Sequence, residues 1–198
     1  GQAVFKLDTW PKDELFNENV RIEMEASGSL TPCTVAFGGN MVIHRDMFMR
    51  VPFDPFGSRG EDDDYVMNAR YLGFPFFFDK DLTLLHLPPK RKRGYWTRQR
   101  QDILRFRYAR EKIRLYGFAP ETLGSFLAYF TQDDLEYKIV ASSLSGARHF
   151  ADHHEREEFE GFLGNAELAV KDPPALIREK AEDFLRFMEA WGDTAPWL

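Results

Sequence analysis

The chain has 198 residues, 43% of them hydrophobic and 15% aromatic. That is enough for one folded domain with a helical appendage, and too apolar for a chain that stays disordered. No apolar run reaches the roughly 18 residues of a membrane span. The start, Gly1-Gln2-Ala3-Val4, lacks the basic flank and apolar stretch of a signal peptide, and the single cysteine, Cys33, excludes an internal disulfide and a cysteine-based zinc site. A soluble, reducing, cytoplasmic setting with Cys33 as a small buried hydrophobe is the expectation.

The net charge of −6 hides an asymmetry. Residues 90–114 hold eleven Lys and Arg against Asp102 and Glu111, which leaves the remainder at −15. A basic belt in an acidic chain calls for an anionic neighbour: phosphate, membrane surface, nucleic acid, or the protein's own acids. The acidic remainder argues against nucleic acid.

In chain order, Pro11, Gly28 and Pro32 interrupt the first 35 residues. Residues 34–37 and 41–43 read as short strands around the turn Gly38-Gly39-Asn40, and residues 45–50 as one or two helical turns. Residues 51–60, with two prolines and two glycines, read as a loop. A helix is expected from Glu61 to about Leu72, with Tyr65, Ala69 and Leu72 at helical spacing and Gly73 placed to end it. Its first turn is all acidic, where the helix dipole favours negative charge. Residues 74–78 and 82–87 read as buried strands that Pro88-Pro89 stops.

Beyond this point the pattern turns helical. Phe106, Ala109, Ile113 and Tyr116 form one stripe in residues 98–116, and Arg107, Arg110 and Arg114 another. Residues 120–130 and 133–163 suggest two or three further helices. The clearest is 174–191, where Ile177, Ala181, Phe184, Met188 and Trp191 recur at steps of four and three. That stripe suits core packing, or an interface for a homo-oligomer or partner helix. The chain thus divides into an α/β portion, 1–89, and a basic linker with an α-helical extension, 90–198.

The acidic run is where chemistry is sought. Glu61, Asp62, Asp63 and Asp64 repel one another unless a cation offsets them, so the run is either a solvated first turn or a set of acids built to work on hydroxyls. The ordered combination Phe37-Gly38-Gly39-Asn40, a short helix, then Arg59-Gly60-Glu61-Asp62-Asp63-Asp64 with Arg70 and Gly73 following resembles the C-terminal catalytic region of β-1,4-galactosyltransferase-like and family 2 glycosyltransferases. The likeness covers residues 33–88. It implies the acceptor-side part of a GT-A (nucleotide-diphospho-sugar transferase) fold, and transfer of a hexose from a nucleotide-sugar donor to a hydroxyl acceptor. Asp62 matches the general base of the inverting members. Glu61 and Asp63 match groups that bind acceptor hydroxyls or orient that base. Gly38, Gly39 and Asn40 match the backbone that approaches the sugar, and His86 matches a ligand for Mn or Mg on the donor diphosphate.

Two departures qualify the likeness. Arg59 stands where the family has a glycine, setting a cation beside the acids. The nucleotide-binding half with its Asp-x-Asp motif does not precede residue 38; Asp62-x-Asp64 and Asp79-x-Asp81 match that motif but lie in the wrong order. The expectation is therefore one part of a longer glycosyltransferase, with a non-catalytic binding module derived from such a domain as the alternative. The belt at Lys90, Arg91, Lys92 and Arg93, with Tyr95 and Trp96, reads either as a lid over a diphosphate or anionic acceptor, hinged at Gly94, or as a face paired with the protein's own acids. The processive Gln-x-x-Arg-Trp pattern is missing around Gln101, which points to single-sugar transfer. His149, His153 and His154 with Glu157 and Glu158 read as an exposed polar face.

Overall fold

A computed structural model describes residues 2–4, 21–23, 30–34, 41–56, 60–79, 94–171 and 175–194. The expected strand at 82–87, the Gly38-Gly39-Asn40 turn, Arg59, His86, Arg91 and Arg93 lie outside the described residues. Helices make up most of what is described, with two small antiparallel sheets. Strand β1 (Gln2–Val4) pairs with β2 (Arg21–Glu23), and β3 (Leu30–Cys33) with β4 (Phe76–Asp79), in a register that sets Leu30 opposite Asp79 and Cys33 opposite Phe76. A mixed α/β class holds in this coarse sense.

The expected strand at 41–43 is not formed. Its alternation is real: Val42 is almost wholly exposed, while Met41 and Ile43 pack against a cluster of Met47, Val51, Tyr65 and Ala69. Packing on a helix, rather than pairing in a sheet, satisfies those two side chains. The segment then enters α1 (Arg45–Arg50), where His44 Nδ1 accepts the Asp46 N–H at 3.3 Å and caps the first turn. Helix α2 (Glu61–Tyr71) starts and stops as its sequence suggests. It begins after Gly60, and Gly73 takes the left-handed conformation (φ +82°) that lets Phe74 N–H reach back to Ala69 O at 2.9 Å.

The helical half comprises α3 (Tyr95–Tyr116), a 3₁₀ turn (Pro120–Thr122), α4 (Gly124–Tyr129), α5 (Leu135–Asp152), α6 (Arg156–Val170) and α7 (Ala175–Thr194). The stripe Phe106, Ala109, Ile113, Tyr116 is buried, with Phe130, Leu135, Phe184 and Met188 in the same cluster. Each such large apolar side chain contributes about 1.5–3 kcal/mol relative to exposure. Ile177, Ala181, Phe184 and Met188 of α7 are core, while Trp191 leaves it and donates its indole N–H to Met49 O at 3.3 Å.

Helices α5 and α6 form a hairpin that glycine permits. A Cβ at Gly146 would lie 2.7 Å from the Phe162 ring, and one at Gly161 2.3 Å from the Trp96 ring. The boundary expected at 89/90 is bridged by packing: Met67 of α2 belongs to the α3 core cluster, and Arg70 donates to Thr122 O. No helix among the described residues is long and apolar enough to cross a membrane.

Candidate functional site

The four acids that open α2 face different surroundings because successive helical residues step about 100° around the axis. Glu61 is exposed, Asp62 half-buried, and Asp63 and Asp64 are buried. Two buried carboxylates demand cations or protons. Both cations come from α3, where Arg105 and Lys112 stand seven residues, or two turns, apart. The Arg105 guanidinium pairs with Asp63. Lys112 has no exposed surface, and its Nζ lies 2.6 Å from Asp64 Oδ1 and 2.7 Å from Asp54 Oδ2.

Around Lys112 further hydrogen bonds follow, whereas the buried Arg105 Nε finds no partner among the described residues. Asn68 Nδ2 donates to Asp64 Oδ2 at 3.1 Å, and Asn68 Oδ1 accepts from Lys112 at 3.1 Å and from the Tyr116 hydroxyl at 2.8 Å. Tyr108 donates its hydroxyl to Asp54, whose other oxygen accepts the Phe56 N–H at 2.9 Å. The aromatic faces of Phe184, Tyr108 and Tyr116 surround the ammonium, nearest at 4.1 Å. So the described part of the basic belt has anionic neighbours inside the molecule. Arg110 pairs likewise with Glu136, and Arg107 donates to the carbonyls of Ala169 and Lys171 at the end of α6.

Burial decides the proton affinities. It pushes the Asp63 carboxyl up to about 7, against the pull of Arg105 and with help from the Asp62 and Asp64 charges. Asp64 is raised as well, by burial first, with Lys112 opposing and Asp54 adding to the rise. The Tyr108 and Tyr116 hydroxyls are raised mainly by burial, and so remain protonated donors at neutral pH.

These groups line a pocket of about 210 Å³ between the head of α2, the 51–56 loop, α3 and the first turn of α7. Glu61, Asp63, Asp64 and Asp54 supply its acids, and Arg105 and Tyr108 a polar wall. Gly60 is required at its edge twice over: φ is +78°, and a Cβ would come within 2.3 Å of Arg105 Nε.

Of the sequence-derived candidates, Glu61 and Asp63 line the pocket. Asp62 does not; its Oδ1 accepts the N–H of Asp63 at 3.0 Å, which orients the carboxylate at the helix head. Trp96 is not at the pocket either. It sits in the first turn of α3, its ring against Gly161 and its carbonyl accepting from Asn165 at 2.8 Å, and Tyr95 joins the same packing. Gly94 caps that helix, its N–H donated to the buried Glu158 at 2.9 Å. Tyr95 and Trp96 are thus packed on the α5–α6 hairpin. Gly38, Gly39, Asn40, Arg59, His86, Arg91 and Arg93 are outside the described residues.

Sequence reasoning missed Asp54, Arg105, Tyr108 and Lys112. One signal was available: Tyr108, Lys112 and Tyr116 are spaced by four, so the lysine lies within an aromatic helix face rather than on a solvated one. Asp63 and Asp64 already hold two cations, and among the described residues no group of three or more His, Cys, Asp or Glu side chains is arranged to hold an ion. The His149 and His153 rings stack at 4.1 Å, with His153 Nδ1 2.8 Å from His149 O. Compared with family models, curated proteins and solved structures, the chain matches none.

Proposed function

We propose that the chain is the acceptor-side portion of an inverting glycosyltransferase, moving a hexose from a nucleotide sugar to a hydroxyl acceptor. The observation that supports this most is the pocket at the head of α2, where the run that carries the family resemblance opens onto a cavity of about 210 Å³. That is below the ~300–1,000 Å³ of drug-sized sites and on the scale of one sugar ring. The acceptor lies in the pocket with hydroxyls on Glu61 and Asp63. Its attacking oxygen projects past Glu61 to Asp62, which takes the proton as the oxygen bonds to the anomeric carbon and the nucleoside diphosphate leaves. Asp63 keeps Asp62 oriented through its backbone N–H. Metal dependence rests on His86 alone, and no step of this proposal uses a metal.

The test is acceptor-dependent release of nucleoside diphosphate from a panel of nucleotide hexoses, with Mn present. Asp62→Asn is expected to lose on the order of 10²–10⁴-fold in rate with donor affinity retained. Wild-type turnover by that variant removes Asp62 from the mechanism. The second reading, a non-catalytic binding module, is favoured by one observation: Asp63 and Asp64 are both engaged by internal cations. It gains if acceptor binds and no donor is turned over.

A further inference from the structure

Three large apolar side chains from three separate elements stand exposed around the acidic pocket: Phe56 of the 51–56 loop (36% exposed), Leu104 of α3 (37%) and Leu176 of α7 (52%). Each sits beside buried core, and each turns carbon surface to a largely apolar cavity whose lining also holds the carboxylates of Asp54, Glu61, Asp63 and Asp64. A scattered exposed apolar side chain is ordinary; three of them converging on one cavity mark a place that an apolar group covers.

The charges of the same cavity limit the other end of such a ligand. Among the described residues, the two cations paired with these acids are committed, Arg105 to Asp63 and Lys112 to Asp54 and Asp64. Glu61 stands exposed at the head of α2, outside the ion pairs of the described residues, so the described site holds four acids against the two cations Arg105 and Lys112. A phosphate or carboxylate entering there would meet like charge in a poorly hydrated space, at a cost that grows as water is excluded. Hydroxyl groups meet the opposite situation: carboxylate oxygens accept their protons.

We infer that the pocket takes an amphipathic acceptor, with a hydroxyl-bearing head that has no negative charge among the carboxylates and an apolar group laid over Phe56, Leu104 and Leu176. This rests on reading the pocket as the acceptor site and narrows the acceptor to a class: a neutral sugar carried on an apolar aglycone or chain.

Titration calorimetry on the full chain without donor tests it, using glucose, octyl β-glucoside and octyl β-glucuronide below their aggregation concentrations. The glucoside is expected to bind at least about tenfold more tightly than glucose, because covering a few methylenes suffices for that factor. The glucuronide, identical but for its carboxylate, is expected to bind at least about tenfold more weakly than the glucoside. Leu104→Ser with Leu176→Ser, both exposed positions that leave the core untouched, is expected to erase the glucoside's advantage over glucose with the circular dichroism spectrum unchanged. Equal binding of glucose and glucoside overturns the inference, as do equal binding of glucuronide, a tail effect that survives the double variant, and no binding at all. Because no donor is present, the outcomes separate. Glucoside binding without transfer sinks the transferase and leaves the amphipathic pocket, whereas transfer to a purely polar or anionic acceptor leaves the transferase and sinks this inference.

Discussion

Lys112 is a lysine without exposed surface, held between Asp54 and Asp64 and faced by three aromatic rings. The pairing offsets a desolvation penalty more than it adds stability, so the consequence of breaking it depends on what is left behind. Lys112→Met leaves two carboxylates in low dielectric and is expected to destabilise by about 3–5 kcal/mol in urea unfolding at pH 7. Adding Asp54→Asn and Asp64→Asn should recover a large part of that loss; no recovery would mean the lysine matters through packing instead. Asp63 gives a second residue-level prediction, in pH. Its carboxyl is raised to about 7, whereas an unfolded Asp titrates near ~4, so between those values the folded state binds a proton that the unfolded state does not. Stability from this group is therefore full below pH ~4 and falls as pH rises to about 7, by at most about 4 kcal/mol. Asp63→Asn imitates the protonated form, and its stability relative to wild type should rise across that window. A relative gain by wild type instead would mean that the Arg105 pair outweighs burial.

Helices were the legible part of the sequence, and the reasons are local. The first turn of acids and Gly73 bracket α2, and four-three spacing identifies the buried face of α7. Strand reading failed at 41–43 because alternation reports which side chains are buried and not what buries them: Met41 and Ile43 pack on α2. The site was half legible. Asp63 and Asp64 announce themselves as members of a charge run, but their partners Arg105 and Lys112 are 42 and 48 residues away and look like members of a solvated belt. The packing of Trp96 was illegible for the same reason, since the glycine that receives it, Gly161, carries no sign of its partner in sequence. That contact sets two effects against each other at Gly161→Ala. Alanine gains up to about 1 kcal/mol of helix propensity over glycine, while a methyl 2.3 Å from the indole overpacks the contact by about 1–3 kcal/mol. Net destabilisation is expected by urea denaturation, turning into a gain when Trp96→Leu removes the ring. A neutral result in the wild-type background would mean that Trp96 is not docked as described.

At the scale of the molecule, the division into 1–89 and 90–198 meets a core that ignores it. Met67 packs with Ile103 and Phe106, and the ion pairs Asp63–Arg105, Asp54–Lys112 and Asp64–Lys112 all cross the line. A helical half built to stand alone would not bury a lysine whose two carboxylates belong to the other half. Residues 90–198 expressed by themselves should therefore unfold at lower urea than the same helices in the intact chain, where Met67 and the 54–64 carboxylates pack on them. The sharper expectation concerns the sign and size of one substitution in the two settings. In the intact chain Lys112→Met strands Asp54 and Asp64 and costs about 3–5 kcal/mol. In the fragment there is nothing to strand: the ammonium is open to water where α2 and the 51–56 loop had covered it, so the same change should fall within about 0.5 kcal/mol, the ordinary range for a surface position. Parallel urea titrations of four proteins, each length with and without the substitution, isolate this coupling. An equal penalty in both lengths would mean that Lys112 is satisfied inside the helical half, and the boundary at 89/90 would then separate two independent folding units after all.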